Sequence, residues 1–265
     1  MKILCLIKYV PDVEEFTYDD QRHVLIRENV KQILNPDDAC AVAYALMIKR
    51  RNPETVIEVV TMAPDTVRGD LEDLVRRNID RATLISDKRF GGSDTFATSM
   101  ILGRYLQQNT FDAVLTGTHS LDGDTSQVPS QLGELCGLPQ MSHIVAIEFD
   151  SFLAGRPVVE VDLESCILTF ALSLPAILSI HKDSAYKLPY VAYQDLEKDV
   201  SAQVRVVNHQ DLGLGADEVG LQGSRTKVRR SFVKTRAPKN RVVVKNDDEG
   251  IETVYDYLKN HGFLL

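Results

Sequence analysis

The chain reads as a doubly wound α/β protein with a mostly parallel sheet, antiparallel additions at one sheet edge and an extended C-terminal arm. Three observations predict this. Through residues 1–140 short apolar strands alternate with amphipathic helices, the pattern of βαβ units with helices on both faces of a sheet. Strand-like runs then follow one another with little helix between them. From Val204 onward glycines and basic residues dilute the apolar pattern.

The elements follow in order. Lys2 to Lys8 is a short apolar strand, and Asp37 to Arg51 a helix with Ala39, Val42, Ala43, Leu46 and Met47 at helical spacing. Val56 to Met62 is rich in β-branched residues and reads as a strand. Thr66 to Arg77 carries Val67, Leu71, Leu74 and Val75 on one side, as a helix does. A short strand at Ala82–Ile85, a helix at Asp94–Gln107, a strand at Ala113–Leu115 and a helix at Ser126–Leu135 complete the alternating half. Ile144–Phe149, Val158–Leu163, Ile167–Leu172 and Ala176–Ile180 are the four strands expected to add antiparallel to the edge. The boundary between an α/β domain (1–207) and an arm (208–265) is expected where apolar residues thin out, and residues 249–260 read as a terminal helix with Ile251, Val254, Tyr255 and Leu258 on one face.

Composition bounds the function. Of 265 residues 44% are hydrophobic and 26% charged, enough for a sizeable core. The formal net charge of −8 argues against a general nucleic-acid binder. No apolar run reaches the roughly 20 residues that span a bilayer, and Lys8 interrupts the N-terminal run before any cleavage site; membrane insertion is not expected and a cytoplasmic location is. Cys5, Cys40, Cys136 and Cys166 form no CxxC or zinc spacing and read as plain reduced residues. Residues 225–245 hold nine basic side chains and no acidic one, with Phe232 alone interleaved. That stretch reads as a partner-binding arm or as a solvated one; near-absence of aromatics counts against a nucleic-acid tail.

In open α/β sheets ligands bind outside the carboxyl ends of the strands, where strand order reverses. The loops after the strands are therefore the candidate site. Asn35-Pro36-Asp37-Asp38 combines an N-cap residue, a proline at the first helical position and acids in the first turn, which is complete as a helix start by itself. If a ligand also lies there, a ribose or adenine edge suits the acids better than a phosphate. Gly117 to Val128 contains Asp122-Gly123-Asp124-Thr125-Ser126-Gln127-Val128, in which Gly123 permits a tight turn and Asp124, Thr125 and Ser126 permit capping. A helix start of this kind suits a pyrophosphate, although ordinary capping explains the same residues. Asp122 and Asp124 lack a clear third ligand for a metal. Phe90-Gly91-Gly92-Ser93-Asp94-Thr95-Phe96-Ala97-Thr98 is a glycine loop with an N-cap, or a place where backbone approaches a flat ligand. No Walker loop and no GxGxxG is present, nor any nucleophile–base pair or carboxylate dyad; chemistry carried by a bound cofactor fits such a chain.

Taken together these segments resemble the beta subunit of electron-transfer flavoproteins over nearly the whole length. The resemblance lies in Lys8-Tyr9-Val10-Pro11-Asp12, Asn35-Pro36-Asp37-Asp38, Val60-Thr61-Met62-Ala63-Pro64, Leu121 through Val128, Leu138-Pro139-Gln140 and Leu174-Pro175-Ala176-Ile177-Leu178. It implies an adenine-nucleotide-binding, Rossmann-like fold holding AMP or FAD, with Leu6, the 35–38 corner, Met62 and the 122–133 segment against it. Ile85 to Thr95 and Gly223-Ser224-Arg225-Thr226-Lys227-Val228 are similar to the electron-bifurcating branch. That branch implies FAD reduced by NADH, an alpha subunit carrying a second FAD, ferredoxin as low-potential acceptor and an acyl-CoA dehydrogenase-like or other flavin dehydrogenase as the second. It also directs the flavin ring toward Phe90, Gly91, Gly92, Asp94, Thr95 and Thr98. The chain departs from the family pattern at Pro129, which is expected to place the helix start near Ser126 or Gln127. It departs also at Thr118-His119 in place of a more basic pair, at Asn78 in place of glycine, at Arg225 and at Lys187-Leu188-Pro189-Tyr190.

Overall fold

The apolar run at the N-terminus forms the central strand, and the chain winds outward from it on both sides. The computed structural model describes residues 1–12, 17–19, 24–26, 31–227 and 242–264, in two units, Met1–Lys227 and Val228–Leu265.

β1 (Lys2–Leu6) is followed by four short strands: β2 (Tyr9–Pro11), β3 (Thr17–Asp19), β4 (Val24–Ile26) and β5 (Gln32–Leu34). β2 pairs antiparallel with β5, and β3 with β4. Three residues each is too short a run for periodicity to reveal. Then come α1 (Pro36–Arg51), β6 (Val56–Met62), α2 (Arg68–Val75), β7 (Arg81–Ile85), α3 (Thr95–Gln107), β8 (Ala113–Gly117), α4 (Val128–Cys136), β9 (Gln140–Ile147), α5 (Phe149–Leu153), β10 (Val158–Asp162), β11 (Ile167–Ala171), β12 (Ala176–Ile180), β13 (Val204–Val207), the single turn α6 (Gly220–Gly223) and α7 (Asp248–Asn260).

A nine-stranded sheet runs in the order β11-β10-β9-β12-β8-β1-β6-β7-β13. β1 pairs parallel with β6 on one side and β8 on the other, so the winding reverses at β1. This is the doubly wound, mostly parallel architecture expected. The second half needs correction. Only β10 and β11 add antiparallel. β12 inserts between β8 and β9 and runs parallel to both. All five of its residues are buried, which suits an interior strand covered on both faces. β9 begins at Gln140, earlier than expected, and Phe149 opens a short helix instead of closing the strand.

The core lies on both faces. Ile3, Cys5, Val59, Leu115 and Leu178 point to one side with Tyr44, Ile48 and Leu71; Leu4, Val60, Val114 and Ile177 point to the other with Ile101, Tyr105 and Leu132. One buried polar network crosses the second layer. Glu58 accepts from Thr83 and Tyr105 and pairs with Lys2 at 2.9 Å. Burial pushes the Glu58 carboxyl up, but the hydrogen bonds from Tyr105, Lys2 and Thr83 outweigh it and hold it low.

The first unit extends to Lys227, past the expected boundary at Val207. β13 pairs parallel with β7, and Leu212, Leu214 and Val219 beyond it are buried with Phe90, Ile85 and Leu106. Three apolar residues spaced along a glycine-broken stretch have no period, yet they cover the open edge of the second core layer. In the second unit α7 forms as expected, with Asp247 capping it through Gly250 N at 2.9 Å. Ile251, Val254 and Tyr255 on its apolar side are exposed. Residues 228–241 of the basic run lie outside the described residues.

A Leu212→Ala variant is therefore expected to cost about 2–5 kcal/mol in urea unfolding, as for a core leucine. A loss within about 0.5 kcal/mol, the level of a surface position, would restore the boundary at Val207.

Candidate functional site

β1 and β8 end side by side at the point where the winding reverses, and α1 begins directly above them. Backbone amides at strand ends need acceptors when they are buried. Asp38, 5% exposed, supplies one from each oxygen: Lys8 N donates at 2.8 Å and Gly117 N at 2.7 Å. Asp37, 2% exposed, accepts from His119 N at 3.2 Å and Lys182 N at 3.1 Å, and its Oδ2 lies 2.9 Å from His119 Nδ1. Gly117 is required here because a Cβ would overlap the Asp38 carboxylate. Burial pushes the Asp38 carboxyl up to about 7, against the pull of the two amides.

Asn35 precedes α1 as expected, with Pro36 in the first turn, but its side chain does not cap the helix. It bridges two loops instead. Its Nδ2 donates to His119 O at 2.8 Å and its Oδ1 accepts from Leu121 N at 3.2 Å. The corner that reads as a helix start is thus a clamp on the loop after β8.

That loop holds a turn of unusual backbone. The positive φ angles fall on Asp124 (46°) and Ser126 (53°), not on Gly123. Asp and Ser tolerate the left-handed region less readily than glycine, so the turn carries strain, a feature common where a loop is shaped for a ligand. α4 starts at Val128, after Gln127, slightly later than expected and with Pro129 in its first turn. No side chain caps it, which corrects the expectation that Asp124, Thr125 or Ser126 does so. Its first amides are left without a side-chain acceptor. Asp122 is engaged elsewhere, both oxygens accepting from Lys8 Nζ at 2.7 Å. Burial raises its carboxyl, and Lys8 with Ser120 lowers it further than burial raises it.

At the other end lies the start of α3. Asp94 caps it by accepting from Ala97 N at 2.9 Å. Its second oxygen accepts from Thr226 N at 2.7 Å and Thr226 Oγ1 at 2.9 Å, while Asp94 N donates to Ser224 Oγ at 2.9 Å. Thr95 Oγ1 donates to Gln127 Oε1 at 2.7 Å, joining the two helix starts. Gly91 and Gly92 give close approach to this chain's own Leu221: Gly91 O accepts from Leu221 N at 3.2 Å, and a Cβ on Gly92 (φ 78°) would crowd Leu221. Phe90 is buried in the core beneath them.

Between these walls runs a cleft of about 610 Å³. Of the residues singled out in the sequence, Leu6, Asn35, Asp38, Met62, Asp94, Thr95, Thr98, Gly123, Thr125, Ser126, Gln127 and Val128 line it. Pro36, Asp37, Phe90, Gly91, Gly92, Asp122 and Asp124 do not line it. The loop residues Ser93, Thr118, His119 and Ser120 line it too. Pro129 lines it within the 122–133 segment that the resemblance sets against the nucleotide; Lys8, Leu102, Thr116 and Thr226 also line it and have no signal as ligand contacts in single-sequence patterns, although Lys8 and Thr226 lie inside segments that carry the family resemblance. The apolar floor of Leu6, Met62, Leu102 and Val128 suits a flat ring system. Uncapped amides at α4 and the buried Thr118 Oγ1, which has no partner among the described residues, suit a polar or anionic ligand. The donor set fits a nucleotide.

Fold and cleft together define a doubly wound α/β protein with a cleft at the switch point of its sheet, where ligands bind in such folds. The model of the electron transfer flavoprotein domain matches residues 22–212. The chain is 35% identical to the "Caffeyl-CoA reductase-Etf complex subunit CarD" of Acetobacterium woodii, over 88% of this chain and 87% of that one. It is 30% identical to the "Electron transfer flavoprotein subunit beta" of Clostridium acetobutylicum over the full length of both, and 31% identical to "Protein FixA" of Azorhizobium caulinodans over 88% and 84%. The chain belongs to the electron transfer flavoprotein family.

Asp38→Asn replaces an acceptor of two amides with a group that presents a donor. It is expected to cost about 1–3 kcal/mol, the penalty of an unmatched buried hydrogen bond. A carboxyl raised from near 3.8 to about 7 on folding contributes stability that is full below its unfolded value and lost as pH rises through its folded one. The advantage of wild type over Asp38→Asn in denaturant melts should therefore shrink from about pH 4 to about pH 7. An advantage that stays level or grows across that window would overturn the assignment.

Proposed function

We propose that this chain is the beta subunit of an electron-bifurcating electron transfer flavoprotein, holding FAD in the cleft. When bound, FAD would supply the acceptor for the two electrons of NADH, one destined for a low-potential acceptor such as ferredoxin and the other, by way of a second FAD on the alpha subunit, for an acyl-CoA dehydrogenase-like or other flavin dehydrogenase. The observation that carries the reading is the continuity of the cleft from the Asn35–Ser120 corner, past the start of α4, to Ser93–Thr98 and Thr226. AMP ends at one phosphate and has nothing to set against the start of α3. FAD has a second half that requires such a surface.

In this reading the adenosine lies at the corner held by Asn35 and Asp38. The amides near Thr125–Val128 take the pyrophosphate, and Thr95, Thr98 and Thr226 surround the ring's polar edge. Asp94 orients that end by fixing both α3 and Thr226. Gln127 belongs to both halves, because Thr95 donates to it from the opposite wall. The relative named as part of a caffeyl-CoA reductase–Etf complex supports a dehydrogenase-linked complex. The basic run and the exposed apolar side of α7 fit the arm of a subunit that pairs with an alpha chain. No helix among the described residues is long and apolar enough to cross a membrane, in keeping with a cytoplasmic role. The alternative is a conventional beta subunit with structural AMP and no flavin of its own.

Denaturing the purified heterodimer and quantifying released nucleotides separates the two. Two FAD and no AMP per heterodimer are expected; one FAD with one AMP returns the chain to the conventional role. Thr98→Ala is expected to leave the urea midpoint of unfolding within the range of a surface substitution, about 0.5 kcal/mol, while shifting the reduction potential of the beta-subunit FAD. A shift in stability with the potential unchanged would remove Thr98 from the ring.

A further inference from the structure

His119 occupies a position in the cleft wall that ordinary helix-start logic does not explain. Its ring is held from behind by Asp37, a buried carboxylate on α1, through Nδ1 at 2.9 Å. A carboxylate acceptor there keeps the proton on Nδ1 and leaves Nε2 as the group that meets whatever lies in front. Nε2 is 3.9 Å from Asp124 Oδ1, in the strained turn that leads into α4. The ring therefore stands between a fixed anion and the turn to which the phosphates are assigned.

We propose that His119 is a charge-switched contact for the phosphates of the bound nucleotide, so that the cleft holds its ligand more tightly when this ring is protonated. This rests on the nucleotide reading of the cleft. Neutral, the Nε2 atom is a lone-pair acceptor and repels a phosphate oxygen. Protonated, it donates a charge-assisted hydrogen bond, and Asp37 compensates the ring's charge from the far side.

Other charged and titratable groups stand near the ring. From α1, Asp37 touches it and Asp38 lies beside Asp37, engaged by Lys8 N and Gly117 N. From the loop after β8, Asp124 faces Nε2, while Asp122 is neutralised by Lys8. After β12, His181 lies 5.9 Å away between ring centroids and pairs with Asp183 at 3.3 Å, and Lys182 offers its amide to Asp37. On β9, His143 stacks on His181 with ring centroids 6.2 Å apart. Asp38 is the second titrating group within reach of the ligand, and the test separates it from His119.

The test titrates the full chain, freed of nucleotide, with FAD, ADP-ribose and adenosine at pH 6 and pH 8.5; the pyrophosphate diesters of the first two keep their charge across this window. For wild type, FAD and ADP-ribose should bind about tenfold more weakly at the higher pH, the difference between a charge-assisted and a neutral hydrogen bond. Adenosine, with no phosphate, should show no such change. His119→Gln keeps a donor for Asp37 but carries no charge at either pH, and should bind ADP-ribose with the weaker affinity at both pH values. His119→Lys, charged at both, should hold ADP-ribose tightly at both. Slopes that persist in His119→Gln would assign the pH dependence to Asp38 and overturn the proposal, as would an equal slope for adenosine or a pH-independent wild type. If none of the three ligands binds at either pH, the nucleotide reading itself falls, a result distinct from nucleotide binding without a slope.

Discussion

The structure depends on how α1 begins. Two adjacent carboxylates, Asp37 and Asp38, enter the first turn of that helix and are buried almost completely. Each takes hydrogen bonds from backbone amides at the ends of strands far away in sequence: Lys8 after β1, Gly117 and His119 at and after β8, Lys182 after β12. Buried carboxylates without partners are costly, and so are buried amides without acceptors. Here each satisfies the other. The strand ends that wind in opposite directions are thereby held at a fixed distance, and the cleft between their loops is preformed.

The same arrangement decides what the cleft offers a ligand. With the acids turned inward, the negative charge at this corner is already engaged. The wall facing outward is made of Asn35, the hydroxyls of Thr116, Thr118 and Ser120, and the amides at the start of α4. Lys8 neutralises Asp122 at the rim. An overall acidic chain can in this way present a site suited to an anionic ligand, because local hydrogen-bond geometry outranks net charge at contact distance.

The far end is built by another long-range contact. Asp94 looks in the sequence like a plain helix cap, and it is one. Its second oxygen, however, ties down Thr226, which lies beyond the last strand of the sheet. Gly91 and Gly92 admit Leu221 at the same place. Residues 208–227 are therefore part of the first unit and close one end of the cleft.

The sequence by itself determined the winding and the loops that matter. Apolar strands and amphipathic helices carry their period locally, and the loops after β1, β7 and β8 follow from that order and from the rule that ligands sit at the carboxyl ends. It also determined Asn35-Pro36 as the start of α1 and Asn78, with a φ of 72°, as the turn before β7, because these are properties of a residue and its neighbours. Only the tertiary structure decided which way side chains at those starts face. Asn35, Asp37 and Asp94 each read locally as helix-start residues, and all three make contacts more than eighty residues away in sequence. Only the fold decided that β12 lies inside the parallel sheet, and that Leu212, Leu214 and Val219 are core. The physical reason is the same throughout: periodicity and capping record a residue's relation to its near neighbours, whereas a buried hydrogen bond or apolar contact is satisfied by whichever partner the completed sheet brings within reach.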